Sequence, residues 1–153
     1  MNSAGPGMDP AAGVVPPHMS DFNTQVIEEF RANGGKVGGN FAGANLVLMT
    51  TRGAKSGVER TNPVVYFNDG DRIYVIASAG GSTKHPAWYH NLTAHPELTV
   101  EVGAETYRAK ANPVTDDAER DRLYADAVAQ MPGFGEYEKT ANRRIPVLHL
   151  DRI

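Results

Sequence analysis

The amino-acid pattern predicts an α+β protein, a small antiparallel β-barrel with flanking helices. Three observations lead there. The predicted strands arrive as hairpins joined by tight turns, such as Asn68-Asp69-Gly70-Asp71 and Gly103-Ala104. Helical stretches are inserted between hairpins and do not alternate with single strands, which argues against a doubly wound nucleotide-binding sheet. The chain has 153 residues, 41% of them hydrophobic, enough for one domain with a real core.

Each element has a local reason. Residues 1–18 are rich in Pro, Gly and Ala and carry no Lys or Arg. They read as a disordered or non-native tail and not as a signal peptide, so the single domain is expected over 19–153. Ser20 predicts a helix N-cap with Asp21 in the first turn. Phe22, Val26, Ile27 and Phe30 recur on one face, and Gly34-Gly35 end the helix. Gly34–Gly43 holds five glycines and reads as a flexible connection. Asn45–Thr51 is a buried-type strand, and Arg52–Gly57 a turn. Glu59–Phe67 is a strand whose Pro63 requires an edge or a bulge. Arg72–Ser78 returns from the Asn-Asp-Gly-Asp turn, and Ala79–Lys84 is a glycine-bearing loop. Pro86–Thr93 predicts a short helix with proline in its first turn. Leu98–Val102 and Glu105–Pro113 form a hairpin. Asp116–Gln130 is a helix with Leu123, Ala127 and Val128 inward and its acids outward. Pro132-Gly133 break it, Glu136–Arg143 predicts one more short helix, and Ile145–Leu150 a closing strand.

Composition removes several function classes. There is no cysteine, hence no disulfide, thiolate metal site or cysteine nucleophile. That suits a cytoplasmic protein. The net charge of −3 argues against a nucleic-acid binder. No apolar run reaches the ~20 residues that span a bilayer. The apolar side of the first helix is expected to pack on the barrel, with a dimer interface or peripheral membrane contact as alternatives. Monomer and homodimer both stay open. The motifs of dinucleotide, P-loop, nucleophile-elbow and zinc-protease sites are absent. His85, His90 and His95 are spaced by five, a step of ~140° on a helix, which does not gather them for a metal.

Four blocks can carry chemistry. From Gly34 to Arg60, Lys36, Arg52, Lys55 and Arg60 face only Glu59, a local +3 in an acidic chain. A turn holding Ala54, Lys55 and Ser56, with Arg60 just beyond it, can cradle a small anion. The opposite imbalance, −5 over Asp116–Glu138, reads as a solvated face. In Arg60-Thr61-Asn62-Pro63-Val64-Val65, alternation puts Arg60, Asn62 and Val64 on one face and Thr61, Pro63 and Val65 on the other. Ala77-Ser78-Ala79-Gly80-Gly81 ends a strand with small residues that let a flat ring approach. His85-Pro86-Ala87-Trp88-Tyr89-His90-Asn91 holds the single tryptophan, either a core anchor or a ligand contact.

In this order the blocks resemble the deazaflavin-dependent nitroreductase family, the branch of the split-barrel flavin-binding superfamily that uses coenzyme F420, an 8-hydroxy-5-deazaflavin. The pieces are LMTTRGAKSGVERTNPVVY, DGDRIYVIAS, GGSTKHPAWYHNLTAHPELTV and RRIPVLHLDR, spread from Met19 to Arg152. The resemblance implies an antiparallel split β-barrel with the cofactor in a groove beside it. It implies that Ala54, Lys55, Ser56 and Arg60 hold the phosphate and the acidic oligoglutamate tail. By the same resemblance, Thr61, Asn62, Pro63, Val64 and Val65 line the ring and ribityl chain, and Ile76, Ala77, Ser78 and Ala79 border the ring. Ala87, Trp88, Tyr89, His90 and Asn91 complete the site.

The implied reaction is hydride transfer from the reduced deazaflavin to a small hydrophobic, electron-poor acceptor: a quinone, an activated C=C bond or a nitroaromatic. Ser78 and Tyr137 are the candidate hydrogen-bond donors, and Met131, Phe134 and Tyr137 the candidate acceptor-binding residues. Relatives that reduce bulky nitroimidazoles carry several tyrosines before the last strand. Here only Tyr137 is left in Gln130–Tyr137, and Ala54 and Ala79 stand where basic residues are common. The alternatives are an FMN-dependent oxidoreductase on the same barrel and a non-catalytic cofactor or small-molecule binder.

Overall fold

β1 (Leu46–Arg52) is the most buried strand, with Leu46 to Met49 at most 3% exposed. Around it the chain closes a six-stranded antiparallel barrel in the order β1-β2-β3-β6-β5-β4. The other strands are β2 (Glu59–Asp69), β3 (Arg72–Ile76), β4 (Glu97–Val102), β5 (Glu105–Pro113) and β6 (Val147–Arg152). The helices are α1 (Pro17–Ala32), α2 (Ala87–Ala94), α3 (Asp117–Gln130) and α4 (Gly133–Ala141). This computed structural model describes residues 17–38 and 45–153, with side chains from residue 23 onward. The expected tail lies outside the described residues up to 16, as do residues 39–43 of the glycine-rich connection.

The hairpins are where turn chemistry puts them, and the barrel is the expected split-barrel type. Several boundaries shift by one to three residues, among them three element starts. α1 already runs at Pro17, so Ser20 is an interior position and not the cap. α4 starts at Gly133, because Pro132 ends α3 yet itself has helical dihedrals and opens the next helix at once. β6 starts at Val147, and Ile145 is a fully buried residue of the link before it.

Strand alternation sorts the apolar residues into two faces. Val47, Met49, Val75, Val100, Ala109, Leu148 and Leu150 fill the barrel, and Trp88 and Leu92 of α2 join them. On the outside, α1 lays Val26 and Phe30 on Leu46 and Leu48. α3 and α4 cover Phe67, Tyr74, Ile76 and Val147 with Leu123, Tyr124, Ala127 and Phe134. The apolar side of α1 is thus spent on the barrel. No helix among the described residues is long and apolar enough to cross a membrane.

The acidic stretch is less solvated than its composition suggests. Arg120 is 5% exposed and bonds the Ile145 carbonyl, Asp121 and Glu138, its guanidinium 4.5 Å above the Tyr124 ring. Arg122 pairs with Glu119 and Asp69, and Arg144 with Asp117 and Asp121. Buried His149 meets Asp69 at 3.0 Å. That bond and Arg122 hold the Asp69 carboxyl below its ordinary pKa.

Candidate functional site

The site begins where two strands part. β2 pairs with β1 along its first seven residues, Glu59 to Val65, but with β3 only from Tyr66 to Asp69. The first half of β2 therefore has a neighbour on one side only. The Tyr66 N–H bonds Asn45 on the β1 side. Backbone groups alternate direction along a strand, so Thr61, Pro63 and Val65 turn theirs to the open side. Pro63, which lacks an N–H, is tolerated in β2 for this reason. Beyond Tyr66–Val75, residues 61–65 and residues 76–79 become the two lips of a seam in the barrel wall.

Alternation along β2 then decides which side chains reach the outer surface of the seam. Thr61, Pro63 and Val65 share a face with their partners Thr50, Leu48 and Leu46, and the Thr50 and Thr61 hydroxyls lie 2.8 Å apart. Val65 also packs against the cluster that contains Ile76. Asn62 and Val64 pair with Met49 and Val47, on the inner face. Val64, Ala77 and Trp88 pack in the barrel core.

The second lip is a tight turn. Ala79, Gly80 and Gly81 all have positive φ, of 50°, 64° and 88°. For Ala79 that is a strained conformation of the kind stored at functional sites. Gly81 is a requirement: a Cβ there would strike Thr140 and lie 3.2 Å from the Tyr137 ring. Ser78, 7% exposed, opens the turn, and its hydroxyl has no partner among the described residues. The half-buried Tyr137 packs edge-on against Phe134, and its hydroxyl is also unpartnered among the described residues. Phe134 itself is 8% exposed and packs edge-on against Phe67 in the core cluster under α3 and α4. Met131 is half-buried at the C-terminal end of α3.

The cationic turn lies at the end of the β1–β2 hairpin. Gly53 and Val58 close it by a 2.9 Å bond, and the Ser56 hydroxyl accepts from the Val58 N–H at 3.1 Å. Asn91 of α2 locks it from the side. Its Oδ1 accepts from the Ala54 N–H at 3.0 Å, and its Nδ2 donates to the buried Thr51 hydroxyl at 3.1 Å. Asn91 is therefore a clamp on the turn, with its amide already engaged at both ends. Lys55 and Arg60 are exposed. Of the ten arginines, eight bond carboxylates or carbonyls of the chain. Arg52 and Arg60 are the two without such a partner among the described residues. Arg52 belongs to the basic cluster of the sequence, and the resemblance gives it no binding role. Its register beside Glu59 and its guanidinium within 4 Å of a Cβ on Gly57 put it on the same turn.

The start of α2 differs from its expectation as well. His85 precedes the helix, so helical spacing does not separate it from His90, and the two rings lie 5.8 Å apart with Tyr89 4.6 Å from His85. Ala87 and His90 are exposed.

Unpaired cations at one end of an open strand edge, and a buried unpaired hydroxyl at its far lip, fit a flat polar ring carrying an anionic arm. Residues 23–151 match the family described as F420H(2)-dependent quinone reductase. An F420H(2)-dependent quinone reductase of Mycobacterium tuberculosis is 35% identical over 127 residues, covering 80% of this chain and 85% of that protein. The solved structure of an F420-H2 dependent reductase is 34% identical with a TM-score of 0.63, covering 70% of this chain and 94% of that one. A chain solved as a domain-swapped dimer is 30% identical with a TM-score of 0.65, covering 87% and 99%. This chain belongs to the F420H(2)-dependent quinone reductase family of oxidoreductases, whose cofactor is coenzyme F420.

Proposed function

We propose that this reductase delivers its hydride to a quinone, with the ring of F420 in the β2–β3 seam and its anionic arm on the β1–β2 turn. The observation that carries the reading is the placement of Arg52 and Arg60, unpaired among the described residues, at the end of a one-sided strand edge. Arg52, Lys55 and Arg60 would hold the phosphate and oligoglutamate arm by charge-assisted bonds. The open backbone groups of Thr61 to Val65 would meet the polar edge of the ring. Ile76 and the Ser78–Gly81 turn would border its other side. When bound, reduced F420 supplies a hydride and does little one-electron chemistry.

The chain's own residues then serve the acceptor. The Ser78 and Tyr137 hydroxyls are free to donate hydrogen bonds to the oxygen on which negative charge develops. Both act as hydrogen-bond donors, and water delivers the second hydrogen to the quinol as a proton. Met131 and Tyr137 would give the acceptor an apolar boundary. A quinone suits this site better than a bulky nitroimidazole, because it needs only a flat apolar slot and donors at its carbonyl.

The test is turnover. The purified chain with reduced F420 and a short-chain quinone regenerates the absorbance of oxidised F420 at a rate proportional to protein. Reaction with enones or nitroaromatics but not quinones moves the acceptor class. Tighter binding of FMN than of F420 contradicts the cofactor site.

A further inference from the structure

We propose that Arg143 is a positioning residue for the β3 lip of the seam, and that His85, held as a neutral acceptor, makes this lip loosen on acidification. The inference rests on the seam being the ring site.

Arg143 comes from the link between α4 and β6, far from β3 in sequence. Its guanidinium spans the whole turn. Nε donates to the Ser82 carbonyl at 3.1 Å, and Nη2 to the carbonyls of Ala77, Ser78 and Lys84 at 3.1, 3.2 and 3.1 Å. Nη1 reaches His85 Nδ1 at 2.9 Å. One side chain therefore gathers both ends of a strained turn that carries Ser78 and abuts Tyr137. The turn has little else to hold it: the Gly81 N–H bonds the Ser78 carbonyl, Ser82 bonds Ala79, and Thr140 bonds the Gly81 carbonyl.

The chemistry of the pair fixes the histidine. A guanidinium can only donate, so Nδ1 must keep its lone pair and the ring proton sits on Nε2. A second proton on Nδ1 would point an N–H at Nη1 and break that bond. The groups facing His85 are the Arg143 guanidinium, the His90 and Tyr89 rings of α2, and the adjacent Lys84. Burial first, then the positive charge of Arg143 and the neighbouring His90, lowers its pKa below the ordinary histidine value. The grip is thus complete near neutrality and fails as pH falls through this lowered pKa.

Two measurements on the full chain test this. Side-chain 15N NMR without cofactor should show His85 as the Nε2–H tautomer, titrating below the ordinary value of ~6.5. In Arg143→Met that titration should rise toward the ordinary value, and amide exchange over residues 77–85 should quicken about tenfold. By calorimetry, F420 affinity should fall about threefold or more from pH 7.5 to 5 relative to His85→Gln, whose amide oxygen accepts from Nη1 without titrating. Taking the ratio cancels ionisation of the cofactor itself. An Nδ1–H tautomer, or the same pH dependence in both proteins, overturns the proposal. If F420 binds at no pH, the functional reading falls, and the tautomer and exchange results decide the Arg143 grip alone.

Discussion

Among the described residues Arg52 and Arg60 have no partner for their charges, while every other arginine is engaged with acceptors of the chain. At the scale of single residues this is the plainest sign of an external anion. Arg60→Ala is expected to weaken F420 binding by about 1.5–3 kcal/mol, the range for a charge-assisted contact. Titration of the cofactor's fluorescence checks it. Ser78 offers a sharper contrast. Its buried hydroxyl has no partner among the described residues, so Ser78→Ala should raise stability by up to about 1 kcal/mol in urea unfolding. The same change should lower turnover about tenfold or more, because a donor aimed at developing charge is lost. Tyr137→Phe should slow turnover while leaving the affinity for F420 within about twofold, measured by comparing steady-state rates with a binding titration.

At the scale of elements, the site depends on a strand that changes partner and on a turn that cannot accept a side chain. Gly81→Ala should destabilise the fold by about 1–3 kcal/mol in thermal unfolding, since a Cβ there meets Thr140 and Tyr137 at a φ of 88°. Much at this scale was legible in the sequence. Asn68-Asp69-Gly70 and Gly103-Ala104 mark their hairpins by local turn chemistry, and Pro63 marks an unpaired strand edge. The alternation of residues 60–65 sorted their faces correctly. What was not legible depends on distant partners. The seam exists because β2 stops pairing with β3 at Tyr66, and no residue at that point announces it. Arg120 lies in the stretch that reads as a solvated face and Arg143 carries no signal of its own, yet both are engaged by carbonyls distant in sequence, because a long arginine stem can lie along apolar surface and deliver its fork inward. Trp88 stays open between core anchor and ligand contact in the sequence, because an aromatic beside a glycine-rich loop looks the same whether it faces a core or a pocket.

For the whole molecule, acid should act in two stages. His85 has a lowered pKa when folded, so the unfolded chain takes its proton first and stability starts to fall below about pH 6.5. Asp69 and Asp151 are held below their ordinary values, Asp69 chiefly by His149 and Asp151 chiefly by Arg72. Their contribution is complete above about pH 4 and is lost as pH falls further through their folded values. Urea midpoints from pH 8 to 3 should show both declines, with the first absent in His85→Gln. The most direct test of the site as a whole pairs two ligands with two proteins. F420 should bind the native chain far more tightly than a deazaflavin that lacks the phosphate and glutamate arm, and in the chain carrying both Arg52→Ala and Arg60→Ala that difference should largely vanish. If the two ligands differ as much in the doubly substituted chain as in the native one, the anionic arm is held elsewhere and the placement of the cofactor is wrong.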